Sequence, residues 1–391
     1  ETEARGPSAA GLRPVWGRAR RRFRACGSGA FGGSFSPGRQ RDGGGFGRRA
    51  AGMWSIANIT DFPAAGSWVQ DKAANKIWLV CVRASFDIRP DGSVAPSADQ
   101  SPPLLQGQPF DGDFANSLVY ESDFFGPKPC TDVLVNGSAW APSGRPATEV
   151  DVGLAVGPIR KRLRVFGDRW WSVNLAGAPA IAAPEPFLRQ PIRYEHAFGG
   201  WDRSSADPAD HRLEARNPVG QGLVLNPARA LGRKLPNIED PADPITAWHH
   251  RPAPAGLNAI ACHWSPRREL AGTYDAAWLS QRFPLWAEDL DPRYYCCAPA
   301  DQQVAGYLKG GEPVQLVNLS PHGPIQFRLP RLVFGFSTRM RREVLHHRGV
   351  LATVILEPDF PRVIMIWQSA LLCNHRIDDL DQTTVRLKKL I

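Results

Sequence analysis

The chain has 391 residues, 43% of them hydrophobic, enough for two or three ordinary domains with substantial cores. Its formal net charge of +9 invites a nucleic-acid reading, but residues 1–52 hold eleven arginines against three acids, so the rest of the chain is close to neutral. A near-neutral body argues against a nucleic-acid partner, and no apolar run reaches the ~18 residues of a membrane span.

Taken in chain order, residues 1–52 have no lysine, no apolar periodicity, and glycine-rich runs such as GSGAFGGSFSPG. That composition cannot offset its ordering entropy and predicts disorder. Three readings are open: a nucleic-acid arm, an Arg-rich transit peptide, or sequence upstream of a true start at Met53. The last is the preferred expectation, because MWSIANITDF begins a globular-looking sequence.

Residues 53–175 read as an N-terminal β region. NKIWLVCVRASFDI (75–88) is rich in β-branched and aromatic residues and ends at the turn RPDGS. SLVYESDF and TDVLVNGSAW are further strand candidates. In EVDVGLAVG, Val150, Val152, Leu154 and Val156 alternate onto one face. KRLRVFGDRWW follows after Gly157-Pro158, with Leu163 and Val165 opposite Arg162 and Arg164, so the two stretches read as a hairpin or meander.

Residues 176–310 form a loop-rich middle with many prolines and two expected short helices. These are YDAAWLSQ (274–281), with Thr273 as its N-cap, and PADQQVAGYL (299–308). Residues 311–391 return to β signals: PVQLVNL, PIQFRLP, RLVFGFSTR, and then VLATVILEPD and RVIMIWQSAL flanking the hairpin loop EPDFP. The expected fold is mainly β, a sandwich- or barrel-like body with a loop-rich middle and a few short helices.

Seven cysteines with no CxxC pattern read as reduced, mostly buried thiols, which suits a cytoplasmic protein. No metal-ligand spacing appears, and His249-His250 and His346-His347 lack an i,i+4 partner. Gly220 and Gly222 in NPVGQGL have no strand before them and no helix after them, so no cofactor is expected. Glu239 and Asp240 in LPNIEDP lie between prolines and suggest a rigid exposed segment.

The stretch RYEHAFGG raises the sharpest question. Glu195 and His196 are an acid–base combination, but neighbours on a strand point to opposite faces. The competing reading makes Gly199 and Gly200 a turn, Phe198 a core plug, and the polar groups of Tyr194, Glu195 and His196 partners for buried backbone. Trp201 follows directly. A second concentration, WSPRRELAGTYDAAW, sets Arg267, Arg268, Tyr274 and Asp275 between tryptophans, as an internal ion-pair network or an interface would. An enzyme reading, a hydrolase or transferase, would use Glu195, His196 and Asp275.

In order, YESDFFGPKPCTDVLVNGSAWAPSGRP, RVFGDRWW, IRYEHAFGGWD, NPVGQG, LPNIEDP, SPRRELAGTYDAAW, APADQQ and GGEPVQLVNLSPHG resemble a bacterial type VI secretion accessory family, filed as domain of unknown function 2169. The resemblance runs from about Trp54 to Ala370. Two local departures stand out: AEDLD keeps Asp289 and Asp291 but lacks the expected Pro and Phe, and Leu351-Ala352-Thr353 replaces Leu-Asp-Thr. The resemblance implies a cytoplasmic adaptor or chaperone that helps load a toxin effector onto the secretion spike or tip. Its partners would be the effector and a spike or PAAR-tip protein. It brings no catalytic residues with it.

Overall fold

The computed structural model describes residues 54–390. The expectations for residues 1–52 and the start at Met53 lie outside them. The described chain is mainly β, with three larger sheets, several two-stranded ones, and a single α-helix, Ala276–Gln281, among the described residues. No sheet among them closes into a barrel, so the barrel-like alternative is set aside.

The largest sheet has seven strands and is built around Lys76–Ile88. This strand pairs antiparallel with Arg362–Leu372 along its length, from Ile77 opposite Leu372 to Asp87 opposite Arg362. Outward from there lie Val350–Glu357, Thr131–Val135 (parallel to it) and Gln303–Val304 on one side, and Ala64–Gln70 on the other. KIWLVCVRASF is almost continuously apolar because both of its faces are covered. Trp78, Val80, Val82, Ala84 and Phe86 point into the main core. Leu79 and Cys81 join Phe124 on the opposite face, and Arg83 lies on that face beside Asp123.

The five-stranded sheet contains the expected hairpin, Glu149–Val156 with Ile159–Phe166, followed by Pro313–Val317 and Ile325–Arg328. Its alternation is as read: Val150, Val152, Leu154 and Val156 are buried, as are Leu163 and Val165. A four-stranded sheet pairs Ser55–Asn58, Leu380–Leu390, Leu332–Met340 and Glu343–Arg348. Core residues from all three sheets, such as Val82, Leu154 and Phe336, belong to one cluster. The N-terminal and C-terminal β regions are therefore interleaved strand by strand.

Three local expectations change. PADQQVAGYL is not a helix: one 3-10 turn, Ala300–Gln302, leads into the short strand Gln303–Val304. Gln302 is drawn inward, where its side-chain amide donates to the carbonyls of Val133 (2.8 Å) and Leu257 (3.1 Å), and Gly306 at φ 76° prevents helical continuation. The Ala276–Gln281 helix is capped by Asp275, which accepts from the Trp278 amide at 2.8 Å, and not by Thr273. Thr273 instead donates from its amide and hydroxyl to Asp289, both at 2.8 Å. LPNIEDP is not an exposed segment either. Asn237 and Glu239 are buried, Glu239 against Arg169, and only Asp240 faces solvent.

Candidate functional site

RYEHAFGG folds as a 3-10 turn, Tyr194–His196, and not as a strand. A short strand, Phe198–Gly199, follows and runs parallel to Gln221–Gly222. The turn brings RYEHAFGG, NPVGQG and LPNIEDP together. Asn217 donates to the carbonyls of Tyr194 (2.7 Å) and Phe198 (3.0 Å). Gln221 donates to Asn237 at 2.8 Å, and Asn237 donates to the Phe166 carbonyl at 3.2 Å. Gly200 sits at φ 82°, and a side chain there would meet the Gly220 carbonyl at 2.1 Å. Only glycine fits that close backbone approach.

Both oxygens of Glu195 are occupied by one residue, Ser117, whose amide and hydroxyl each donate at 2.7 Å. The His196 carbonyl accepts from the Asn237 amide at 2.8 Å. Burial holds the His196 imidazole below its ordinary range, and Lys234 pushes in the same direction. Asp275 is engaged as the helix cap. Among the described residues no hydrogen bond joins Glu195, His196 and Asp275. Tyr194 and Phe198 are core residues, Tyr194 edge-on to Trp264 at 5.6 Å and Phe198 in the cluster around Trp171. Trp201 is exposed, with Arg203 above its ring at 4.6 Å.

Arg267 and Arg268 part ways. Arg267 is buried and donates to Glu121 (2.6 Å), to the Ile260 carbonyl (2.7 Å) and to the Tyr294 carbonyl (3.0 Å). Its guanidinium also lies over the Phe125 ring at 4.7 Å. Burial works against this charge, but Glu121 outweighs it and strengthens the hold on the proton. Arg268 is exposed. Downstream, the short helix carries a small apolar projection. Tyr274 packs edge-on against Trp278 (4.8 Å), and Trp278 against Phe283 (5.6 Å). Tyr274, Leu279 and Phe283 are 43%, 62% and 63% exposed. Arg282 anchors the projection to the body by donating to the Trp286 and Lys72 carbonyls.

The loop-rich stretches cover the outer face of the seven-stranded sheet, and buried polar groups fasten them there. Arg83 on the central strand pairs with Asp123 at 3.1 Å. Burial raises the Asp123 carboxyl while Arg83 opposes that rise. Gln368, the polar residue inside an otherwise apolar strand, donates to the Asp123 and Gly126 carbonyls and accepts from the Lys128 amide. Tyr120 donates to Glu357, which also holds Arg362. Burial raises the Tyr120 phenol, and the Glu357 charge adds to the effect.

One cluster under this cover was not legible in the sequence. The Lys128 ammonium, fully enclosed, donates to Asp132 at 2.5 Å and to Thr353 at 2.9 Å. Burial alone would favour loss of its proton, but Asp132 reverses the balance and keeps Lys128 charged. The same Asp132 oxygen accepts from the Cys297 amide at 2.8 Å. Burial pushes the Cys297 thiol up to about 12. Beside them Cys130 and Cys296 bring their sulfurs to 3.4 Å. That contact lowers the Cys130 thiol, while hydrogen bonding and burial raise Cys296. The cysteines come from GPKPCTD and YYCCAP, far apart in sequence, so local spacing gave no sign of them.

Fold and site together describe a β-rich protein whose loops form a cover stapled to one sheet face by buried ion pairs. Residues 73–368 match the model of a family described as an uncharacterized protein conserved in bacteria, domain of unknown function 2169, and the chain belongs to that family. No curated protein and no solved structure matches the chain. Among the described residues no helix is long and apolar enough to cross a membrane.

Proposed function

We propose that this protein is an adaptor that binds a toxin effector in the cytoplasm and helps place it on the spike or PAAR-tip of a type VI secretion machine. The observation that carries the binding role is the aromatic projection of Tyr274 and Phe283 around the partly buried Trp278, with the exposed Leu279 next to Trp278 in the helix. Exposed large apolar groups clustered on a rigid, anchored element suit recognition of another protein, because little side-chain freedom is lost on contact. The assignment to secretion rests on the resemblance carried by the ordered sequence motifs; the matched family itself is described only as uncharacterized.

The test is co-expression with toxin effectors encoded near this gene, identified from its neighbourhood, followed by purification and sizing of any complex. An adaptor gives a soluble complex and a higher cellular level of the toxin. Replacing Leu279 and Phe283 together by aspartate should abolish the complex while leaving the melting temperature nearly unchanged. A chain that stays alone whenever it is purified with neighbouring effector or spike proteins contradicts the reading.

A further inference from the structure

We propose that Cys130, Asp132 and Cys296 form a binding site for a thiophilic divalent cation of the zinc class. A ligand atom from each of the three lies within 4.8 Å of the other two. The sulfur–sulfur separation is 3.4 Å. Tetrahedral zinc with Zn–S bonds of ~2.3 Å sets two thiolates ~3.8 Å apart, whereas a disulfide requires ~2 Å. The two sulfurs are unbonded and need to separate by only about 0.4 Å to reach the metal-bound value.

Asp132 supplies a second, independent indication. Its side chain is fully buried, and one oxygen is saturated by Lys128 and the Cys297 amide. The other oxygen, Oδ1, is buried with no hydrogen-bond partner. A carboxylate oxygen left bare in the interior is costly, and coordination to a cation would satisfy it. The charges also balance: two thiolates and a carboxylate against a divalent cation and the Lys128 ammonium leave no net charge in the site. Lys128 then fixes the ligating carboxylate from its far oxygen, an arrangement common around bound metals. Thiolate ligands favour zinc over magnesium or calcium. The partly exposed Tyr307 lies beside the cluster, its hydroxyl donating to the Lys128 carbonyl at 2.6 Å. Water would complete the coordination. The cation would tie the start of the Thr131–Val135 strand to the Tyr294–Cys297 segment of the cover.

The experiment uses the untagged full chain under a phosphine reductant, with zinc content measured by mass spectrometry and cobalt(II) added as a spectroscopic probe. About one zinc per chain is expected, along with a near-ultraviolet thiolate-to-cobalt charge-transfer band and a zinc-dependent rise in melting temperature. Cys130→Ser should weaken zinc binding at least about tenfold while the chain stays folded by circular dichroism. Cys373→Ser should retain the band, because that thiol lies outside the cluster, against the Leu371 carbonyl. A folded wild-type chain with neither zinc nor the charge-transfer band overturns the proposal. So does a band of full strength in folded Cys130→Ser.

Discussion

His347 shows how a single residue can be fixed by its hydrogen-bond partners. The Ser369 hydroxyl donates to the Arg348 carbonyl at 2.8 Å, so it accepts from His347 Nδ1 at 2.6 Å. On the other side, Trp78 donates to Thr383 at 2.9 Å, Thr383 and Thr338 share a hydrogen bond at 2.7 Å, and a neutral His347, with its proton on Nδ1, accepts at Nε2 from Thr338 at 2.8 Å. Every proton in this chain is used once when His347 is neutral. A protonated ring would need Thr338 as acceptor; Thr338 would then donate to Thr383, which already accepts from Trp78, and the buried Thr383 hydroxyl proton would lose its partner. Burial accordingly lowers His347 from 6.5 to about 4. Because the unfolded chain binds the proton more readily, stability is full above pH 6.5 and falls as the pH drops toward 4. The loss at pH 5 should be about 2 kcal/mol. Urea unfolding at pH 7 and pH 5 checks this, with His347→Gln as comparison. The variant should lose that part of the slope, and an unchanged slope would refute the assignment.

At the scale of elements, legibility followed exposure. Strands with a regular buried alternation, such as Glu149–Val156, and fully buried apolar ones, such as Lys76–Ile88, stood out in the sequence. Ala64–Gln70 and Glu343–Arg348 did not, because both lie at sheet edges and stay partly exposed, which removes the apolar signal. Gly66 in the first of these has a packing role: a side chain there would run into the Trp78 ring at 2.3 Å. The cover was harder still. Its buried hydrogen bonds join stretches remote in sequence, Lys128 and Asp132 to Cys297 and Thr353, and no local pattern encodes such contacts. The turn at RYEHAFGG was read in outline from its glycines, but the partner of Glu195, Ser117, was not in view. The Lys128–Asp132 pair yields a direct prediction. Lys128→Met should cost roughly 3–5 kcal/mol, because it strands a buried carboxylate. Adding Asp132→Asn should recover part of that loss by removing the charge while keeping an acceptor for Cys297. Urea unfolding in the presence of a chelator measures both, and a single-variant cost below about 1 kcal/mol would show that the pair is not what fastens the cover.

Over the whole molecule, strands from the two ends of the described chain are interleaved. Lys76–Ile88 pairs with Arg362–Leu372, Thr131–Val135 with Val350–Glu357, and Glu149–Val156 with Pro313–Val317. The loop-rich middle is folded back over the body these strands make, and its surface presents the aromatic projection around Trp278. An anchored apolar projection on this body fits the proposed adaptor that delivers another protein. The measurement that tests this most directly is export of the toxin that co-purifies with this chain, from cells lacking this gene, complemented either by the wild-type chain or by the Leu279→Asp, Phe283→Asp double variant. The account predicts that deletion stops export, that the wild-type chain restores it, and that the double variant, present at wild-type level, does not. Export that continues without the gene would contradict it.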